Sequence, residues 1–192
     1  QRELEDFGRR TGMAICGPNS LGILNFNARS CGYSSTSPSA VKAGDVALVS
    51  QSGTIVVAMV RALRGIGFSH MVSSGNEAVV NSADYLNHLI DDPDVRVLAA
   101  FVEGIKEPAK FLAVAERAFA MRKPLIVIKS GRSEGGSAAS AAHTGMLAGS
   151  YAVQSAIFRQ KGIINCSDLD EWLETIEMFR IARPPSGRGI GM

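Results

Sequence analysis

Asp45-Val46-Ala47-Leu48-Val49-Ser50-Gln51-Ser52-Gly53-Thr54 decides the fold of this chain. An apolar run stops at Ser50, crosses a turn of small polar residues, and restarts at Gly53 with the helical spacing of residues 53–64. A continuous apolar strand that feeds an amphipathic helix belongs to a parallel sheet covered on both faces. The same alternation recurs down the chain. Strands are expected at Phe68 to Val72, Arg96 to Val102, Leu125 to Lys129 and Ile163 to Cys166. Helices are expected over about 82–91, 107–122, 150–161 and 168–181. This order predicts an α/β fold with a doubly wound parallel sheet, flavodoxin-like in its strand sequence. Ligands of such sheets bind beyond the carboxyl ends of the strands. Attention therefore falls on the loops after Ser50, Val72, Val102 and Lys129.

Upstream the pattern is less regular. Residues 1–12 set Leu4 and Phe7 on one face and stop at Gly12, which reads as a short helix. Ala14-Ile15-Cys16 reads as a short buried strand leading into the turn Gly17-Pro18-Asn19-Ser20-Leu21-Gly22. Residues 27–44 are rich in Ser, Pro and Gly and read as a linker. The chain opens at Gln1 in a helical pattern and ends in Pro184-Pro185-Ser186-Gly187-Arg188-Gly189-Ile190-Gly191-Met192, a Pro/Gly linker with the first residues of a further strand. A piece of a longer polypeptide is expected.

Composition narrows the function. Hydrophobic residues make up 46% and charged residues 20%, the balance of a soluble globular protein. A net charge of +2, without a dense Lys/Arg cluster, gives no reason to expect nucleic acid. No apolar run approaches the roughly 20 residues that span a bilayer, and no stretch reads as a secretory leader. Cys16, Cys31 and Cys166 are far apart and form no C-x-x-C, so neither a disulfide framework nor a zinc site is expected. A cytoplasmic, reducing compartment fits this usage.

Three elements carry candidate chemistry. The first is the turn at Ser52, Gly53 and Thr54, which opens a helix and exposes N–H groups at its positive end, where an anion is favoured. An N-cap serine beside a close-packing glycine is the plainer explanation. The G-x-S-x-G elbow is not met, because Ser50 stands at the first glycine position. The second is Glu103, set after an apolar strand and before Gly104. A carboxylate there is able to orient an imidazole by accepting its N–H; taken alone, it reads as a solvated strand-end acid. The third is His143. It stands in a stretch from Ser130 to Gly149 made almost wholly of Gly, Ala and Ser, too small to pack a core. A neutral imidazole is a nucleophile, although a surface histidine or a single metal ligand is the plainer alternative. No H-x-H, H-E-x-x-H or cysteine partner lies nearby, so no metal is expected. Six residues separate His143 from Gly149, and about 3.5 Å per residue lets the ring swing roughly 20 Å. His70 and His88 read as structural.

Gly17-Pro18-Asn19-Ser20-Leu21-Gly22-Ile23, Val49-Ser50-Gln51-Ser52-Gly53 and His143-Thr144-Gly145-Met146-Leu147-Ala148-Gly149 together resemble the NDP-forming acyl-CoA synthetases, relatives of the succinyl-CoA synthetase α subunit. On this resemblance residues 1–44 are the tail of a CoA-binding Rossmann domain and a linker. Residues 45–182 are the ligase domain, and 183–192 begin a linker to the next domain. The resemblance implies a phosphohistidine at His143, oriented by Glu103, with phosphate held by Ser52, Gly53 and Thr54. Asn19 and Ser20 would lie near the pantetheine end of CoA, and Gly75-Asn76-Glu77 at the rim of the site.

The implied reaction converts an acyl-CoA and phosphate into an acyl phosphate and CoA. The histidine then takes the phosphoryl group, releases the carboxylic acid, and passes phosphorus to ADP or GDP, giving ATP or GTP, on an ATP-grasp domain with Mg²⁺. Most of the CoA-binding domain and all of the ATP-grasp domain are absent from these residues, so the piece alone is not expected to turn over. An oligomer, no nucleic acid and no membrane complete the expectation. Two rivals stand beside it. Some multidomain acyltransferases carry a similar unit that has lost the histidine and senses a ligand without catalysis; the presence of His143 argues against that here. The second rival is a flavodoxin-like phosphoacceptor or flavin module; receiver domains need aspartates clustered at strand carboxyl ends, whereas Asp45 sits at a strand start.

Overall fold

In the computed structural model, which describes residues 1–35, 41–61, 65–131, 151–182 and 187, the chain enters through helix α1 (Arg2–Thr11). Gly12, in the left-handed region at φ 71°, ends that helix. Two short strands follow, β1 (Gly22–Asn25) and β2 (Ser30–Tyr33). Then comes the repeating unit: β3 (Ala43–Ser50), α2 (Gly53–Arg61), β4 (Phe68–Ser73), α3 (Ser82–Ile90), β5 (Val97–Val102) and α4 (Pro108–Ala120). The last described elements are β6 (Leu125–Lys129), α5 (Tyr151–Gln160), β7 (Ile164–Cys166) and α6 (Leu169–Ile181).

All of these strands form one seven-stranded sheet in the order β2-β1-β4-β3-β5-β6-β7. From β4 to β7 every neighbour is parallel, which gives the flavodoxin-like core expected from the apolar runs. Strand β1 pairs antiparallel with β4, and β2 antiparallel with β1. Strand β2 corrects the reading of residues 27–44 as a linker. The reason is physical: Ser30–Tyr33 is an edge strand whose residues are mostly exposed, so no buried face imposed an apolar alternation on it.

Ala14-Ile15-Cys16 is a second correction, because it forms no strand. The backbone there bonds sideways to the loop after β4. Val80 N–H donates to Ile15 O at 3.3 Å, Ala78 N–H to Gly17 O at 2.7 Å, and Asn76 N–H to Pro18 O at 2.8 Å. The Ile15 carbonyl, which a strand would have paired in the sheet, is thus satisfied by a loop.

Alternation along β3 splits the core in two. Ala47 and Val49 pack with Leu86, Phe111, Val114 and Phe158 beneath α3, α4 and α5. Val46 and Leu48 pack with Val56, Met59, Trp172 and Ile176 beneath α2 and α6. Local chemistry starts the helices where the core needs them. Asn81 caps α3 in a reciprocal box with Asp84, Pro108 occupies the first turn of α4, and Asp168 accepts the Glu171 N–H at 2.8 Å. Among the described residues, no helix is long and apolar enough to cross a membrane.

Candidate functional site

The carboxyl ends of β3, β4 and β5 converge on one edge of the sheet, and the Gly17–Leu21 turn is laid across it. Ser73, the last residue of β4, is the joint. Its carbonyl accepts a short hydrogen bond from Ser20 Oγ. Its hydroxyl oxygen accepts the Leu21 N–H at 3.1 Å. Cys16 Sγ lies 3.3 Å from Ser20 Oγ, and Asn19 Nδ2 donates to Asn76 Oδ1 at 3.3 Å. Leu21 in turn packs beneath Gly53, where a β-carbon would meet its side chain at 2.9 Å. The start of α2 and the Asn19–Ser20 turn are therefore neighbours, though more than thirty residues apart in the chain.

Gly75 makes this contact possible. Its φ is +61°, and a β-carbon there would lie 2.4 Å from Pro18 O and 2.5 Å from Asn19 O. Only a glycine lets the two loops approach so closely. Asn76 faces the same turn through its bond to Asn19.

Glu77 does not lie at the rim. It turns inward at φ 53° and is 2% exposed. Its Oε1 accepts from Ser74 Oγ at 2.7 Å and from the Ser82 N–H at 2.9 Å, while Oε2 is buried with no partner among the described residues. Burial raises the Glu77 pKa; hydrogen bonds from Ser74, Gln51 and Ser82 and the charge of Lys106 act against that rise. A raised carboxyl pKa means that the folded state holds the proton more tightly than the unfolded chain. Its stabilising contribution is complete below the unfolded value and is lost as pH rises through the folded value. Glu77→Gln keeps the Oε1 acceptor and cannot ionise. The variant should gain stability relative to the parent between pH 4.5 and pH 8, read from thermal melts. A difference that stays constant across that range would show that Glu77 ionisation has no part in stability.

Ser52 and Gly53 are half-buried and Thr54 is exposed at the start of α2. Ser50 Oγ accepts the Ser52 N–H at 3.2 Å and donates to Ser52 O at 2.8 Å, which fixes the turn. Glu103 follows β5 and is half-buried. Its peptide is held by a residue that sequence reasoning passed over. Gln51, 7% exposed, accepts the Glu103 and Gly104 N–H groups on Oε1 at 2.6 and 3.0 Å. Its Nε2 donates to Gly104 O at 2.7 Å. An amide is the side chain able to accept and donate at once on a turn of this kind. Its place in the sequence, between two serines at a strand end, was the available signal. Lys129 Nζ completes the clamp by donating to Glu103 O at 2.8 Å and to Ser130 O at 2.6 Å.

The structure thus brings Asn19, Ser20, Ser52, Gly53, Thr54 and Glu103 to one end of the sheet. His143 lies outside the described residues. His70, on β4, bonds through Nε2 to the Asn25 amide at 2.7 Å, and burial lowers its pKa. Among the described residues, no three His, Cys, Asp or Glu side chains gather as a metal site.

Comparison with known proteins yields consistent matches. Residues 43–179 match the model of the family described as succinyl-CoA ligase like flavodoxin domain. The alpha subunit of ADP-forming acetate–CoA ligase II from Pyrococcus furiosus is 37% identical over 190 residues, which cover 98% of this chain and 41% of that relative. The ADP-forming 4-hydroxybutyrate–CoA ligase of Nitrosopumilus maritimus is 34% identical over 189 residues, covering 97% of this chain and 27% of the relative. Dinucleotide forming acetyl-coenzyme A synthetase 1 of Ca. Korarchaeum cryptofilum, solved with phosphate and ADP, superposes with a TM-score of 0.89 at 35% identity. That match covers 97% of this chain and 40% of the other. The chain therefore spans less than half the length of these relatives.

Proposed function

The chain belongs to the family of succinyl-CoA ligase like flavodoxin domains, and from that premise we propose that it is the phosphoryl-carrying part of an NDP-forming acid–CoA ligase. The observation that carries the reading is the junction at the sheet's carboxyl end. There one edge holds the Asn19–Ser20 turn, the opening of α2 at Ser52–Thr54 and the clamped peptide of Glu103. Relatives named as ADP-forming ligases for acetate and for 4-hydroxybutyrate supply the reaction class.

On this reading the thioester end of CoA sits by Asn19 and Ser20. Phosphate attacks the acyl carbonyl, the carbon–sulfur bond breaks, and an acyl phosphate and CoA thiol result. The phosphate is held at the start of α2, where the N–H groups and helix dipole of Ser52, Gly53 and Thr54 favour negative charge. A neutral nitrogen of His143 then attacks phosphorus, and the carboxylic acid leaves. Glu103 accepts the N–H of the other ring nitrogen, which sets the tautomer and balances the charge that develops on the ring. Holding reactants in this geometry replaces random encounter and removes a large part of the barrier. The phosphoryl group finally passes to ADP or GDP on an ATP-grasp domain or subunit outside this chain, where Mg²⁺ offsets phosphate charge. The whole enzyme is assigned to the cytoplasm and to an assembly of more than one chain or fused half; the subunit names of the Pyrococcus relatives support that assembly.

The test uses the full-length protein, incubated with inorganic phosphate and a panel of acetyl-, hydroxyacyl- and aryl-CoA thioesters. Intact mass under non-acidic conditions should show one acid-labile phosphoryl group with at least one thioester. Calorimetric binding of those thioesters with no phosphate ever acquired would overturn the ligase reading in favour of a ligand-sensing unit.

A further inference from the structure

We infer that Lys129 is a positioning residue of this site: its ammonium, together with the Gln51 amide, fixes the Glu103–Gly104 peptide in the geometry that Glu103 needs. The inference rests on the ligase reading above and adds to it a residue outside the site that reading names.

The observation is a complete account of backbone polar groups. Glu103 and Gly104 lie between β5 and α4, outside both ladders. Their two N–H groups go to Gln51 Oε1 at 2.6 and 3.0 Å. The Gly104 carbonyl accepts from Gln51 Nε2 at 2.7 Å, and the Glu103 carbonyl from Lys129 Nζ at 2.8 Å. Two side chains thus hold every backbone donor and acceptor of the turn. Loops are usually satisfied by water or by their own residues, and remain adjustable for that reason. This one is clamped from β6 and from the β3–α2 turn, so the Glu103 side chain projects from a peptide with little freedom.

A structural lysine that merely satisfies carbonyls is the alternative. The cost of the arrangement argues against it. Lys129 is 6% exposed, and taking an ammonium out of water is expensive unless it is paired. Neutral donors satisfy buried carbonyls more cheaply, as Gln51 does on the same turn. Burial lowers the Lys129 pKa, and the negative charge of Glu103 works against that shift. Among the described residues, Glu103 is the charge acting on Lys129, and Gln51 does not titrate. Lys129 also donates to Ser130 O at 2.6 Å, so one ammonium ties the end of β6 to the Glu103 peptide.

The experiment is a double-mutant cycle in the full-length protein. It reads the single-turnover rate at which acetyl-CoA and inorganic phosphate phosphorylate the chain. Lys129→Met should slow that rate by about 10–100-fold, the range for residues that orient a catalytic group. Lys129→Arg should restore most of it. The double variant Lys129→Met/Glu103→Gln should be no slower than Glu103→Gln alone, since residues acting as a unit are not additive. Losses that multiply would overturn the inference and leave the ligase reading standing. A wild-type rate in Glu103→Gln would instead remove Glu103 from the mechanism, and the inference with it. If Lys129→Met does not fold, the alkaline limb of the rate carries the test. The lysine loses charge and a donor as pH rises through its lowered pKa, so Lys129→Arg should move the limb to higher pH. An unmoved limb overturns the proposal.

Discussion

His143→Ala is expected to leave the full-length protein folded and wholly unphosphorylated when acetyl-CoA and inorganic phosphate are supplied. The size of the effect follows from the chemistry. Covalent phosphoryl transfer through a side chain divides one difficult displacement into two easier ones, and His143 is the one imidazole in the stretch from Ser130 to Gly149. Net formation of NTP from acyl-CoA should fall below detection. Exchange between acyl-CoA and acyl phosphate, which needs only the thioester and phosphate parts of the site, should persist. That separation is the discriminating readout, taken from isotope exchange with and without nucleotide. Acid-labile phosphate that survives in the alanine variant would place the carrier elsewhere. Loss of both half-reactions would mean that His143 takes part in binding rather than in carriage.

How much of this was legible before any coordinates depended on the range of the interactions. Strand β6 was read to the residue, because Leu125-Ile126-Val127-Ile128-Lys129 is buried throughout and lies between turn residues. The helices α3 and α6, expected over about 82–91 and 168–181, were likewise located within a residue or so, and the structure caps them at Asn81 and Asp168. The β1–β2 hairpin was hidden, because its pairing is antiparallel at an exposed edge and its composition is that of a loop. The Ser52 turn, Glu103 and the Asn19–Ser20 turn were each visible as local signals. The carboxyl-end rule already set the Ser52 turn and Glu103 at one end of the sheet; the seating of the Asn19–Ser20 turn beside them depends on Ser73 and Gly75, which reach across more than fifty residues. Gln51 and Lys129 escaped notice for the same reason. An amide between serines and a lysine at a strand end look like surface residues, until partners distant in sequence bury them. Glu77 misled in the opposite direction: a carboxylate in a Gly-Asn-Glu loop suggests solvent, yet Ser74 and the Ser82 N–H draw it inside.

Trp172→Ala should produce the largest loss of stability among single substitutions in the layer beneath α2 and α6. Trp172 is fully buried in α6, against a cluster that contains Leu48, Ile126 and Ile176. Truncating a buried tryptophan removes its packing and leaves a cavity that the neighbours fill only in part, at about 3–5 kcal/mol. The indole N–H also donates to Ile126 O at 3.1 Å, a bond lost with the ring. For a domain of this size about 2–4 °C accompanies each kcal/mol, so Tm should fall by roughly 6–20 °C. Trp172→Phe keeps most of the apolar volume and loses the donor, and should fall between the two. A change below about 1 kcal/mol in the alanine variant would show that α6 does not brace the sheet. The consequence reaches the site by a short route. Ile126, which the indole holds, lies on the same strand as Lys129, and Lys129 holds the Glu103 carbonyl. Loosening α6 should therefore slow phosphorylation at temperatures well below the melt, before any global unfolding. Stabilising the chain elsewhere should not restore the rate, because the lost element is the fixed placement of β6 and not the folded fraction.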